Sequence, residues 1–139
     1  MLRDEFQNEF WSTKKAMSAA WEAAYNRHGV RSGQQFILQV LWESDRQTPG
    51  DVARQLHLAT PTVTRTASRM EAAGLLTRQP HPRDARLVLL CLTDRAAALK
   101  DTIEAEMRTL SDRALDGLSP TERDDLLRLL KTVRANLAR

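Results

Sequence analysis

The chain has 139 residues, 42% of them hydrophobic and 28% charged, a balance that favours one packed core over a disordered chain. No stretch approaches about 18 consecutive apolar residues, the acidic start MLRDEFQNEFW lacks the basic head of a secretory signal, and the single Cys91 has no internal disulfide partner, so the expected setting is a reducing cytoplasm without membrane attachment. The net charge of +3 is unevenly placed: between Pro61 and Thr93 five arginines (65, 69, 78, 83 and 86) face only Glu71 and Asp84, and the rest of the chain is balanced at sixteen bases and sixteen acids.

In chain order, Leu2 to about His28 reads as a long amphipathic helix. Leu2, Phe6, Phe10, Met17, Trp21, Ala24 and His28 recur at helical spacing, and Gly29 supplies a left-handed stop. Such a stripe is covered either by another chain or by the chain's own C-terminal helices. Ser32 is expected to cap a second helix from Gly33 to about Glu43, with Phe36, Ile37, Val40 and Leu41 inward. Thr48-Pro49 with Asp51 starts a third helix, and Leu58 is the expected apolar plug of the turn after it.

Thr60-Pro61 repeats the cap-plus-proline device at the start of a fourth helix. Val63, Thr66, Ala67 and Met70 lie on one side of it. Thr62, Arg65, Ser68, Arg69 and Ala72 lie on the other, a thin polar face with two arginines, suited to the DNA major groove. Gly74 ends the helix. Two strands follow, Leu75–Gln79 and Leu87–Leu92, joined by the tip Pro80-His81-Pro82-Arg83-Asp84-Ala85-Arg86. Its arginines suit a minor groove, and Asp84 stands where it can hold Arg86 in one pose. An ordinary polar hairpin loop is the plainer alternative. Thr93 caps a fifth helix to about Leu115, striped by Ala96, Leu99, Ile103, Met107, Leu110 and Ala114. Gly117 breaks it, and Ser119-Pro120-Thr121-Glu122 is a full capping-box pattern for a last helix striped by Leu126, Leu130, Val133 and Leu137.

The order of elements resembles the MarR family of regulators along essentially the full chain. The likeness is sharpest in TPGDVARQLHLATPTVTRTASRMEAAGLL followed by HPRDARLVLLCLT. The family's wing signature stands here as Asp84-Ala85-Arg86 with Leu92-Thr93. The resemblance implies a mainly α fold with a small β-hairpin wing (α+β). It implies a single domain over 1–139, with a winged helix-turn-helix DNA-binding lobe at 31–93 and dimerisation helices at 1–30 and 94–139. It implies a homodimeric regulator on a pseudo-palindromic double-stranded DNA operator, a repressor released by a small aromatic or phenolic ligand. Thr62, Thr64, Arg65 and Arg69 match the family's reading helix and Asp84 and Arg86 its wing pair; Thr60, Ser68 and Arg83, on the same helix and tip, complete the expected DNA contacts. Two positions depart from the family pattern: Ala85 replaces a basic residue common between the wing Asp and Arg, and Ala96 stands where a glycine often follows Leu-Thr.

All seven aromatics precede residue 43. They fill a dimer core or, in the alternative, line an effector pocket in which Trp11, Lys14, Trp21 and Arg31 would meet a weakly anionic aromatic ligand. Cys91, on a strand beside the core, reads as a small hydrophobe and not as a redox sensor. His28, His57 and His81 have no zinc spacing, and no phosphate loop or nucleophile motif occurs, so neither a cofactor nor enzyme activity is expected. Two other functions stay open: a winged helix used for protein interaction, and a nucleoid-type DNA binder without effector control.

Overall fold

A computed structural model describes residues 2–139 of the chain. The elements run α1 (Glu5–Asn26), α2 (Gln34–Glu43), α3 (Pro49–Leu56), α4 (Thr60–Ala72), β1 (Leu76–Pro80), β2 (Val88–Leu92), α5 (Asp94–Ala114) and α6 (Pro120–Leu137). This is the mainly helical chain with one antiparallel hairpin that the sequence implies. The residues divide into two compact units, one ending at Met107 within α5 and the other formed by Arg108–Arg139.

The first unit is built from helices that stop abruptly. Asp4 caps α1 by accepting the Gln7 N–H at 2.9 Å, so the helix starts inside Leu2. At its other end Gly29 takes φ +79°, and the N–H groups of Gly29 and Val30 return to the carbonyls of Asn26 and Tyr25 at 3.1 and 3.2 Å. That pair of bonds satisfies carbonyls the helix would otherwise leave open, and it places His28 beyond the last turn. The same closure recurs after α4, where Gly74 (φ +79°) and Leu75 bond back to Glu71 and Met70. It recurs after α3 with a non-glycine, His57 at φ +56°. There Leu58 bonds back to Ala53 through its backbone alone. Its side chain is 47% exposed, so the expected plug is absent.

Two expected caps are also corrected. Gly33, in the left-handed region, is the N-cap of α2 and offers no side chain. Ser32 turns away and donates its hydroxyl to Glu22 Oε1 at 2.7 Å. In α4 the carbonyl of Ala59 accepts the N–H groups of Thr62 and Val63, so Ala59 is the cap and Thr60-Pro61 lie within the first turn. Proline there removes only an N–H that the helix does not use. Thr48, by contrast, accepts the Asp51 N–H at 3.1 Å, as its position implied.

α2 buries Ile37, Leu38 and Leu41, whereas Phe36 is exposed, so its inner face is turned by one to two residues from the expected stripe. These residues pack with Tyr25, Val30, Val52, Val63, Ala67, Met70, Leu75, Leu76, Leu90, Ala96 and Ile103 in one core. β1 and β2 pair from Leu76 opposite Leu92 to Pro80 opposite Val88, each starting one residue later than expected. Gln47 adds a third rung by exchanging backbone bonds with Leu90 at 2.7 and 3.3 Å. Leu89, Leu90 and Cys91 of β2 are buried in succession, while Leu87 and Val88 toward the hairpin tip are exposed.

α5 begins at the Thr93 hydroxyl, which accepts the Ala96 N–H at 3.2 Å. In the second unit, Ser119 and Glu122 complete the capping box in both directions at 3.1 and 2.9 Å. Leu126, Leu127, Leu129, Leu130 and Leu137 of α6 are exposed, as are Phe6, Phe10, Trp11 and Met17 of α1. Among the described residues no helix is long and apolar enough to cross a membrane.

Candidate nucleic-acid interface

α4 separates its two faces by residue size. Val63, Ala67 and Met70 are fully enclosed and hold the helix on the core. Opposite them, Thr60, Thr62, Arg65, Ser68 and Arg69 are exposed, and Thr64 is half-buried. Small residues around two long cations leave the helix axis free to approach a groove wall while the guanidinium groups reach further. Among the described residues neither the Arg65 nor the Arg69 guanidinium makes a hydrogen bond or ion pair, so both forks are open.

Ser68 is differently employed. Its hydroxyl donates to the Thr64 carbonyl at 3.0 Å and accepts from Arg78 Nη2. Arg78, on β1, also donates to the Thr64 carbonyl at 3.3 Å, and its Nε lies 3.9 Å from Glu71 Oε1. That Nε is buried without a hydrogen-bond partner. Arg78 therefore ties the hairpin to the exposed helix, a role that counting it only as charge does not reveal. The alternation of β1 is the available signal, since it turns Arg78 to the α4 side as a half-buried residue between exposed neighbours.

The hairpin tip is internally fastened. Asp84 accepts the Arg86 backbone N–H at 3.1 Å, Nε at 3.0 Å and Nη2 at 2.9 Å. These bonds hold the Asp84 carboxyl below the usual carboxylate range, the Arg86 side chain contributing most and its backbone N–H next, and the same pairing raises Arg86. His81 Nδ1 accepts the N–H groups of Arg83 and Asp84 at 3.0 and 3.1 Å, and the Leu87 N–H closes on the Asp84 carbonyl at 3.0 Å. The tip thus presents Arg86 in a fixed pose while the Arg83 side chain stays exposed.

The four residues considered for an aromatic ligand lie in separate places. Lys14 Nζ sits 5.6 Å from the Trp11 ring, itself edge-on to Phe10, on the exposed first half of α1. Trp21 packs edge-on to Tyr25 at 5.3 Å and near Phe36 at 6.4 Å. Arg31 lines a separate cleft with Arg69 and Arg95. Among the described residues, no ring contact or hydrogen bond joins these places within one chain. Tyr25 and Trp42 belong to the chain's own core: their rings stack at 6.5 Å, and Trp42 Nε1 donates to the Ala96 carbonyl at 2.9 Å. Cys91 is buried, and burial pushes its thiol up against the opposing field of Arg46. No group of three or more His, Cys, Asp or Glu suited to a metal ion occurs among the described residues.

Comparison with known proteins meets this geometry at the same residues. The MarR family model matches residues 31–88. An uncharacterized HTH-type transcriptional regulator of Bacillus subtilis (strain 168), YkoM, is 33% identical over 104 residues, which are 75% of this chain and 68% of that protein. Against three other curated regulators the chain spans 62%, 66% and 64% of their lengths. The crystal structure of YusO from Bacillus subtilis superposes with a TM-score of 0.82 at 20% identity, over 94% of this chain and 93% of that one. A putative MarR family regulator from Listeria monocytogenes, complexed with 26mer DNA, superposes with a TM-score of 0.69 at 20% identity, over 99% and 91%.

Proposed function

The chain belongs to the MarR family, and we infer from that membership and from its geometry that it is a transcriptional regulator that binds operator DNA as a homodimer, α4 lying in the major groove and the β1–β2 wing in the minor groove. The observation that carries this reading is the pair of open guanidinium groups, Arg65 and Arg69, on an otherwise small and polar helix face, with a third cation, Arg86, locked at the wing tip by Asp84. A protein-interaction winged helix needs the same core but no such face.

Dimerisation is supported by the apolar residues left exposed on the first half of α1 and along α6. A second copy covering them removes apolar area from water, the main favourable term in obligate association. Bound to an operator, the dimer excludes polymerase and represses. The aromatic residues of α1 and α2 suit a small aromatic or phenolic releasing ligand, with Trp11, Lys14, Trp21 and Arg31 as its contacts once two chains are joined. Titration of tryptophan fluorescence with salicylate-like compounds tests that part; no change at millimolar ligand removes it. Light scattering of the protein with a short duplex tests the assembly, with two chains per duplex expected and one chain per duplex contradicting it.

A further inference from the structure

A cleft of about 590 Å³ lies beside the recognition helix, in the first compact unit. It is lined by Gly29, Arg31, Ser32, Gln34, Thr66, Arg69, Ala73 and Arg95. Three lining residues are arginines and none is acidic. One lining residue meets a carboxylate: the Ser32 hydroxyl donates to Glu22 Oε1 at 2.7 Å.

The arginines differ in how they are held. Arg95 is built in: Nη1 donates to the Ala73 carbonyl at 2.8 Å and Nη2 to the His28 carbonyl at 3.2 Å. Carbonyls orient a guanidinium without neutralising it, so Arg95, itself exposed, keeps a full positive charge at the cleft. Gly29 lets Arg95 approach closely, since a Cβ there would stand 3.0 Å from Nη2. Arg31 and Arg69 are exposed at the cleft with no carboxylate partner among the described residues.

Uncharged donors point the same way. Gln34, 5% exposed, accepts the Arg31 N–H through Oε1 at 3.0 Å, which leaves its amide protons as the group it has to offer. It opens α2, whose N-cap Gly33 supplies no side chain to the first-turn N–H groups. A helix N-terminus carries partial positive charge, and guanidinium forks match tetrahedral oxyanions with paired bonds.

We propose that this cleft is a phosphate site, in which Arg31 and Arg69 grip an oxyanion against the fixed Arg95 and the amide of Gln34. Two sources share that chemistry: a phosphodiester of the DNA backbone and a free phosphate. The DNA source rests on the reading of α4 as the helix that enters the groove. The free source does not.

Arg31→Ala tests both, because Arg31 is exposed and no helix depends on its side chain. In the first arm, inorganic phosphate replaces chloride at constant ionic strength. The expected result is a phosphate-dependent rise in the wild-type melting midpoint and movement of the Gly33 and Gln34 amide resonances, both abolished in Arg31→Ala. In the second arm, affinity for a bound duplex and for an unrelated duplex is measured across salt concentrations. The expected result is a log–log salt slope shallower by about 0.9 for each phosphate that Arg31 no longer neutralises, equally on both duplexes. A change in the second arm identifies the DNA backbone as a source, and a change in the first arm alone identifies free phosphate. No change in either arm overturns the proposal. Arg65→Ala and Arg69→Ala on the same duplexes separate the two readings: if neither changes affinity, the assignment of α4 falls while the first arm still decides the cleft.

Discussion

Asp84 holds Arg86 by three hydrogen bonds, one from the backbone N–H and two from the guanidinium, all between 2.9 and 3.1 Å. The two residues are separated only by Ala85, and the wing's fixed cation is therefore set by a neighbour and not by the core. Arg86→Ala is expected to weaken DNA binding on all sequences and to reduce the salt slope by about 1. Asp84→Ala keeps the Arg86 charge, frees its direction and removes one carboxylate, so the slope does not fall as it does in Arg86→Ala. Fluorescence anisotropy at several salt concentrations separates the two. Identical slopes for wild type and Arg86→Ala would remove the wing from the interface.

Arg65 and Arg69 have no partner to give up among the described residues, so replacing either leaves the fold unburdened. A residue that reads a base is expected to cost about 1–3 kcal/mol of binding on the preferred sequence when changed to Ala, with relaxed discrimination at one position. A residue that touches only phosphate lowers affinity evenly. Full affinity in both variants would show that α4 is not the reading helix.

Arg78→Ala is expected to cost about 1–3 kcal/mol of stability, because the bonds its guanidinium donates to the Thr64 carbonyl and the Ser68 hydroxyl are lost and the hairpin is released from α4. Denaturant unfolding measures this. Arg78→Lys restores the charge but not the fork, so it is expected to recover only part of the stability. Wild-type stability in Arg78→Ala would show that the tie between hairpin and helix is dispensable.

Glu106 on α5 accepts His28 Nε2 at 2.9 Å and Arg27 Nη2 at 3.1 Å, fastening the end of α1 to α5. The His28 bond is the largest cause holding the Glu106 carboxyl below its ordinary range, with Arg27 adding to it. A carboxyl depressed in the folded state stabilises it at any pH above the ordinary carboxylate value. That contribution disappears as pH falls through the lower, folded value. Glu106→Gln is therefore expected to lower the melting midpoint at neutral pH and to narrow its gap from wild type as pH falls below about 4. A gap independent of pH would contradict the titration of this group.

The fold was legible wherever a local signal decided it. Thr48 with Asp51 and Ser119 with Glu122 cap as their spacing implies, and Gly29 and Gly74 stop their helices because only a left-handed residue closes them so tightly. Where several local solutions compete, the sequence misled. Ser32 is as good a cap as any, yet Glu22, ten residues back, takes its hydroxyl, and an uncapped glycine starts α2. The outer face of α4 and the Asp84–Arg86 pair were readable from periodicity and from a spacing of two. Arg78 and Arg95 were not, since their hydrogen-bond partners lie 10 to 67 residues away and only the packed chain brings them together.

The central claim is that this chain reads DNA sequence through α4 and the wing, and selection of bound duplexes from a random pool tests it most directly. The account predicts enrichment of a pseudo-palindrome with half-site centres about 10 base pairs apart, one helical turn. Retention of duplexes without any enriched sequence would contradict it and would leave a protein that binds DNA by its charge alone.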